Sequence, residues 1–227
     1  MTPPFTNEYR MAKVMNKFEL YKTNDLQSVF NQCELTKGNH LMTGLTADTG
    51  MGKTTSLKAY VSTNKNTFMV TVDKTMNAKR LYLKILETLG IQFDGNIHDV
   101  MLKIASELNG LENPLLIVDE AGKMNHVMML YMHDLREYTR ENCGILLAGM
   151  PYFKRNLQRY ADKQKEGCSE FLRRINVWHE LKGLSRKETE YVCSQSGITN
   201  DFKEFYGLRF GDLMNKILLD KLTNEKL

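Results

Sequence analysis

Lys53, Thr54, Asp119 and Glu120 are the residues of this sequence whose types and placement suit chemistry on a phosphate chain. The first two close the stretch Ala47-Asp48-Thr49-Gly50-Met51-Gly52-Lys53-Thr54-Thr55. That stretch has the pattern of a phosphate-binding loop, with Ala47 where glycine is commoner. Gly50 and Gly52 permit a tight turn in which successive backbone N–H groups face one anion. A helix beginning near Gly52 aims the positive end of its dipole at the same point. The Lys53 ammonium can reach β- and γ-phosphates, and the Thr54 hydroxyl suits Mg²⁺. Asp119 and Glu120 end the apolar run Leu115-Leu116-Ile117-Val118. An acid in the first position holds Mg²⁺ through water, and one in the second polarises an attacking water as general base. Each half alone is ambiguous. Separated by room for two β–α units, they support each other.

The hydrophobic pattern supplies the elements that must position these groups. Apolar runs at 41–45, 67–73, 114–120 and 144–149 read as strands, and the third and fourth are apolar enough to be buried on both faces. Helical spacing covers 77–89, 97–108, 124–141 and 152–165. Strands alternating with helices predict an α/β fold, a central parallel sheet flanked by helices. Ahead of the sheet lie an imperfect helical stripe at 8–22 and a short helix at 25–34. Residues 176–181 read as a last strand, and beyond them only helices fit, at 185–194, 201–206 and 209–222. The expected division is an N-terminal helical arm at 1–34, a nucleotide-binding α/β domain at 35–181 and a small helical lid at 182–227.

Composition narrows the class. With 227 residues, 42% hydrophobic and 26% charged, the chain can bury a sizeable core. A net charge of +4 permits an anionic partner without requiring one. Cys33, Cys143, Cys168 and Cys193 form no Cys-x-x-Cys pair, which predicts reduced thiols and a cytoplasmic setting. No apolar run suits a membrane span, and Met1 to Glu8 do not read as a secretory leader. The five histidines, His126 and His133 on one helix included, lack metal-ligand spacing.

On these residues the sequence resembles the AAA+ ATPases. Ala47 to Thr54 fits their Walker A motif, and Leu115 to Glu120 their Walker B motif with its catalytic glutamate. Within the superfamily it is similar to the transposition ATPases typified by the phage Mu B protein. That likeness rests on Asp119-Glu120-Ala121, Leu147-Ala148-Gly149-Met150-Pro151, Phe171-Leu172-Arg173-Arg174-Ile175 and Leu184-Ser185. It implies ATP and Mg²⁺ as cofactors and self-assembly on double-stranded DNA. A transposase is the implied partner, and the bacterial cytosol or nucleoid the implied setting. It places Arg174, or its neighbour Arg173, as an arginine finger toward an adjoining subunit. It also nominates Lys74, Lys79, Arg80 and Lys123 as contacts to the DNA backbone.

Two family features are missing. The strand before Pro151 ends in Ala148-Gly149-Met150 where a polar sensor is usual, leaving Thr139, Asn142 or the backbone as substitutes. In the lid, Met214 follows Gly211-Asp212-Leu213 where an arginine is usual, and Arg209 is out of register. Both gaps predict slow hydrolysis. A separate feature is the charge between Pro151 and Lys187, where ten bases face four acids. The rival expectations are a loader or remodelling ATPase acting on a protein and, more remotely, a small-molecule phosphotransferase.

Overall fold

A computed structural model describes residues 20–198 and 201–224. The helix expected over 8–22 lies outside them except for its last three positions, which carry no regular structure. Five strands form one sheet: β1 Met42–Thr46, β2 Thr67–Thr71, β3 Leu115–Asp119, β4 Gly144–Gly149 and β5 Val177–Glu180. Their order is β2-β3-β4-β1-β5, and every neighbouring pair is parallel. The expected α/β fold is therefore present, with helices on both faces.

Alternate residues of the central strands enter opposite cores, as period-2 geometry requires. Leu116 and Val118 of β3 join Ile145 and Leu147 of β4 on one side, while Leu115, Ile117, Leu146 and Ala148 face the other. The first core is closed by α3 Ala78–Thr88, α4 Ile97–Asn109, α5 His126–Thr139, α6 Pro151–Asp162 and α7 Cys168–Arg174. The second is closed by α1 Asn24–Gly38 and α2 Lys53–Thr63, where Phe30 meets Tyr60 edge to face at 5.3 Å. The first of these two helices passes through position 34 without a break and packs Val29, Phe30 and Cys33 into that core.

One expectation is adjusted, and one helix is added. The helix expected over 124–141 is present but shorter at both ends, His126–Thr139: Asn125 caps α5 by accepting from the Met128 amide, and a 3-10 turn spans Ala121–Lys123 ahead of it. The turn keeps Lys123 beside the end of β3. The segment after Gly167 coils into α7, whose last residues are Arg173 and Arg174.

At the N-terminal edge of the sheet, buried Arg136 donates to the carbonyls of His40 and Cys143, the residues just ahead of β1 and β4. A third small core, built on Val192, Cys193, Phe205, Leu213 and Ile217, holds α8 Arg186–Gln195 and α9 Phe210–Asn224 together. Tyr21 packs against it and bonds Ser196 at 2.8 Å. Among the described residues no helix is long and apolar enough to cross a membrane.

Candidate functional site

The strand order decides where the chemistry gathers. β4 lies between β1 and β3, so the loop leaving β1 and the acids ending β3 share the C-terminal edge, about 10 Å apart across two strand spacings. The loop is anchored by Ala47, whose amide donates to Gly149 O at 3.1 Å. Gly50 and Gly52 take positive φ, 77° and 80°, so these two positions need the freedom that glycine has. Helix α2 then starts at Lys53, with its first-turn amides turned toward the loop.

Lys53 and Thr54 bridge the gap. The Lys53 ammonium lies 3.6 Å from Asp119 and 3.8 Å from Glu120. The Thr54 hydroxyl donates to Asp119 Oδ2 at 2.7 Å. Lys53 and Asp119 are both buried, which makes the pair costly to break from one side. A hydroxyl and a carboxylate converging on one point beside a ring of amides are the donor set that Mg²⁺ on a triphosphate uses, so the residues fit that group.

Glu120 adopts a left-handed backbone, φ 57° and ψ 32°, which non-glycine residues rarely hold. Its amide donates to Asp119 Oδ1 at 2.9 Å. Its carboxylate stands between two lysines: besides Lys53, Lys123 approaches Oε2 at 3.3 Å.

A cavity of about 420 Å³ opens here, lined by residues 48–55, Glu120, Met150, Phe210, Gly211, Met214 and Asn215. All of the loop residues singled out in the sequence except Ala47 thus line one space. Of the other lining groups, Glu120 was singled out as the general base, Met150, Gly211 and Met214 were noted at the positions of missing sensors, and Phe210 and Asn215 escaped the sequence reading. Met150 is reached only because β4 ends beside β1. Phe210, Gly211, Met214 and Asn215 come from the start of the last helix, which docks directly on the loop. Gly211 N donates to Gly50 O at 2.7 Å, and a Cβ on Gly211 would come within 3.2 Å of Gly50 Cα. Where the family likeness expects a guanidinium, α9 presents the Met214 thioether and the Asn215 amide. Arg209 stands beside the cavity, 3.5 Å from Asp48.

The remaining nominated residues separate. Thr139 donates to Leu135 O, and Asn142 holds the carbonyls of Leu108, Asn109 and Leu111. Both sit at the N-terminal end of β4, opposite the cavity, so neither substitutes for the missing sensor. Arg174 Nε lies 2.6 Å from Glu137 Oε1 of the same chain, an ion pair without a hydrogen bond to that buried oxygen. Arg173 is exposed. Of the four nominated DNA contacts, Lys79 pairs with Asp94 at 3.5 Å, Arg80 with Glu87 at 3.1 Å and Lys123 with Glu120. Lys74 is exposed, with no salt bridge among the described residues. No group of three His, Cys, Asp or Glu side chains among the described residues is arranged to hold a metal by itself.

A family model for the AAA domain matches residues 36–157. Among solved structures, the chain is similar to the Aeropyrum pernix ORC1 protein in complex with DNA: TM-score 0.56 at 10% identity, covering 75% of this chain and 47% of that one. It thus spans about half the length of that protein. It is also similar to the Walker-type ATPase PABY2304 of Pyrococcus abyssi, with TM-score 0.55 at 11% identity, covering 100% of this chain and 78% of that one. At such identities the likeness is one of fold. No curated protein matches the chain.

Proposed function

The chain belongs to the AAA domain family, and from that premise we propose that it is an ATP-dependent, sequence-nonspecific DNA-binding ATPase. It assembles on target DNA and regulates or delivers that DNA to a transposase, as the transposition ATPases it resembles do. The observation that carries the ATPase reading is that Lys53, Thr54 and Glu120 line one cavity closed by the last helix, with Asp119 bonded to Thr54 and facing Lys53 just behind them. Lys53 and the loop amides bind the β- and γ-phosphates. Thr54 and Asp119 hold Mg²⁺, which neutralises charge at the phosphoryl oxygens when bound. Glu120 accepts a proton from the attacking water.

In this reading residues 35–181, with helix α1 packed against them, bind nucleotide, and the helices after residue 182 close over it. Arg173 or Arg174 completes the site of an adjoining copy, so that hydrolysis follows assembly. Lys74, Lys79, Arg80 and Lys123 follow the DNA backbone, contacts that give affinity without sequence preference.

The test is the Lys53→Ala variant in a fluorescence-anisotropy titration of labelled duplex DNA. It should lose the ATP-dependent part of binding. Equal binding by variant and parent, with and without ATP, overturns the mechanism. A second reading, a loader acting on a protein client, is favoured by one observation: three of the four nominated DNA contacts are already matched with acids of the chain. Parent protein that ignores duplex DNA at physiological salt would decide for that reading.

A further inference from the structure

Helix α6 carries a row of cations with no acidic partners among the described residues. Its apolar side, Phe153 and Leu157, is buried. Its other side exposes Lys154, Arg155 and Arg159, and the turn that follows exposes Lys163 and Lys165. Among the described residues none of these five takes part in a salt bridge. The acids of the same stretch are Asp162, whose carboxylate accepts from the Gln158 amide at 2.8 Å, and Glu166.

Three of the five are held by rings instead. The Lys154 ammonium lies 5.4 Å from the centre of the Trp178 ring, itself packed on Phe153 at 5.7 Å. Arg159 and Lys165 stand 5.5 Å and 4.8 Å from the Tyr160 ring. The two modes of holding differ physically. A carboxylate cancels a cation's charge and repels an incoming phosphate. A ring face fixes the cation's position but leaves its charge and its outward N–H groups available. The cations near β2, Lys79 and Arg80, are held in the first way. Those of α6, beside β5 at the opposite edge of the sheet, are held in the second.

We propose that the exposed face of α6 is a docking surface for the phosphate backbone of duplex DNA. Residues 154 to 163 extend about 13 Å along a helix. That covers about four phosphates at the 3.4 Å rise of one strand. The occupant is argued from charge complementarity: cations outnumber the one acid on this face, Asp162, which is bonded to the Gln158 amide, and no apolar residue of the helix is exposed among them. The inference rests on the DNA-binding reading above but moves the main contact from the nominated residues to this helix.

The experiment titrates a short fluorescent duplex of mixed sequence with full-length protein and an ATP analogue, at salt between about 50 and 200 mM. Parent, K154Q/R155Q/R159Q and K79Q/R80Q are compared. The α6 variant should bind roughly tenfold or more weakly, and its slope of log K against log salt should be smaller by about 2.7, at 0.9 for each lost contact. Its ATP affinity should equal the parent's, and K79Q/R80Q should change the slope less. Trp178, the chain's one tryptophan, supplies an independent signal: its emission should change when duplex DNA saturates the parent.

A parent-like slope for the α6 variant, or unchanged Trp178 emission at saturation, overturns this inference and leaves the DNA-binding reading intact. Loss of ATP-dependent self-association without DNA would assign the face to a second copy, and tighter binding of duplex RNA would assign it to RNA. Either result also overturns the inference. Parent that binds no duplex defeats the underlying reading itself. If the triple variant fails to bind ATP, the singles R155Q and K163Q, which touch no ring among the described residues, carry the comparison at about 0.9 of slope each.

Discussion

The Lys123 ammonium lies 3.3 Å from the carboxylate of Glu120, so a residue nominated to meet DNA restrains the residue nominated to activate water. A phosphate that draws Lys123 away releases the Glu120 carboxylate, which already lines the cavity, to meet an attacking water. Lys123→Gln should therefore raise phosphate release without DNA by a few-fold and flatten the response to added duplex. A steady-state phosphate assay with and without DNA checks both. Unchanged basal and stimulated rates would show that the contact has no bearing on hydrolysis.

The bond from Gly211 N to Gly50 O is specific to a lid seated on the loop. Gly211→Ala would drive a Cβ against the Gly50 backbone, which has no flexible end to move aside. Loss of that bond is worth about 1 kcal/mol, roughly a fivefold weaker hold on nucleotide. Calorimetry with a non-hydrolysable ATP analogue measures it.

Arg173 and Arg174 should part company on mutation. Arg174→Ala removes the partner of Glu137 and should cost about 1 kcal/mol or less of stability, the range for a partly exposed pair. Arg173→Ala should leave the melting curve alone and abolish the rise in ATPase rate with protein concentration. Melting curves and rates measured over a concentration series distinguish the two.

Gly44 on β1 lies under the Trp178 ring, and a Cβ there would collide with Trp178 Cε3 and Cζ3. Gly44→Ala should cost about 1–3 kcal/mol as an overpacked core. A chain of this size loses about 2–4 °C of Tm per kcal/mol. Thermal unfolding followed by tryptophan fluorescence reports it at the affected residue.

All four cysteines are free and buried. Burial pushes the Cys143 thiol up to about 12, and it raises Cys33, Cys168 and Cys193 as well. At neutral pH these groups stay protonated and react slowly. A colorimetric thiol reagent should find almost none in the native protein and four after denaturation.

The legible parts of this molecule were those with a repeating signal. Four parallel strands showed as apolar runs, and the capped helices 78–88 and 97–109 showed by spacing to within a residue or so. Lys53, Thr54, Asp119 and Glu120 were legible because phosphate chemistry fixes both residue type and spacing. The helix at Cys168–Arg174 was not, since seven residues span less than two turns and give periodicity little to act on. Nor were Phe210 and Asn215, which line the cavity through tertiary docking alone. The Lys123–Glu120 contact depends on a left-handed glutamate and a 3-10 turn that no propensity announces.

Arg136 clasps the carbonyls just ahead of β1 and β4, on the rim farthest from the cavity. The two central strands are thereby pinned at one end while their other ends carry every working group. The strand ladder runs on to Thr46 and Gly149 at the opposite rim, but among the described residues no such side-chain clasp doubles it there. Amide exchange should therefore be slowest beside Arg136 and faster toward the rim that carries the loop and the acids.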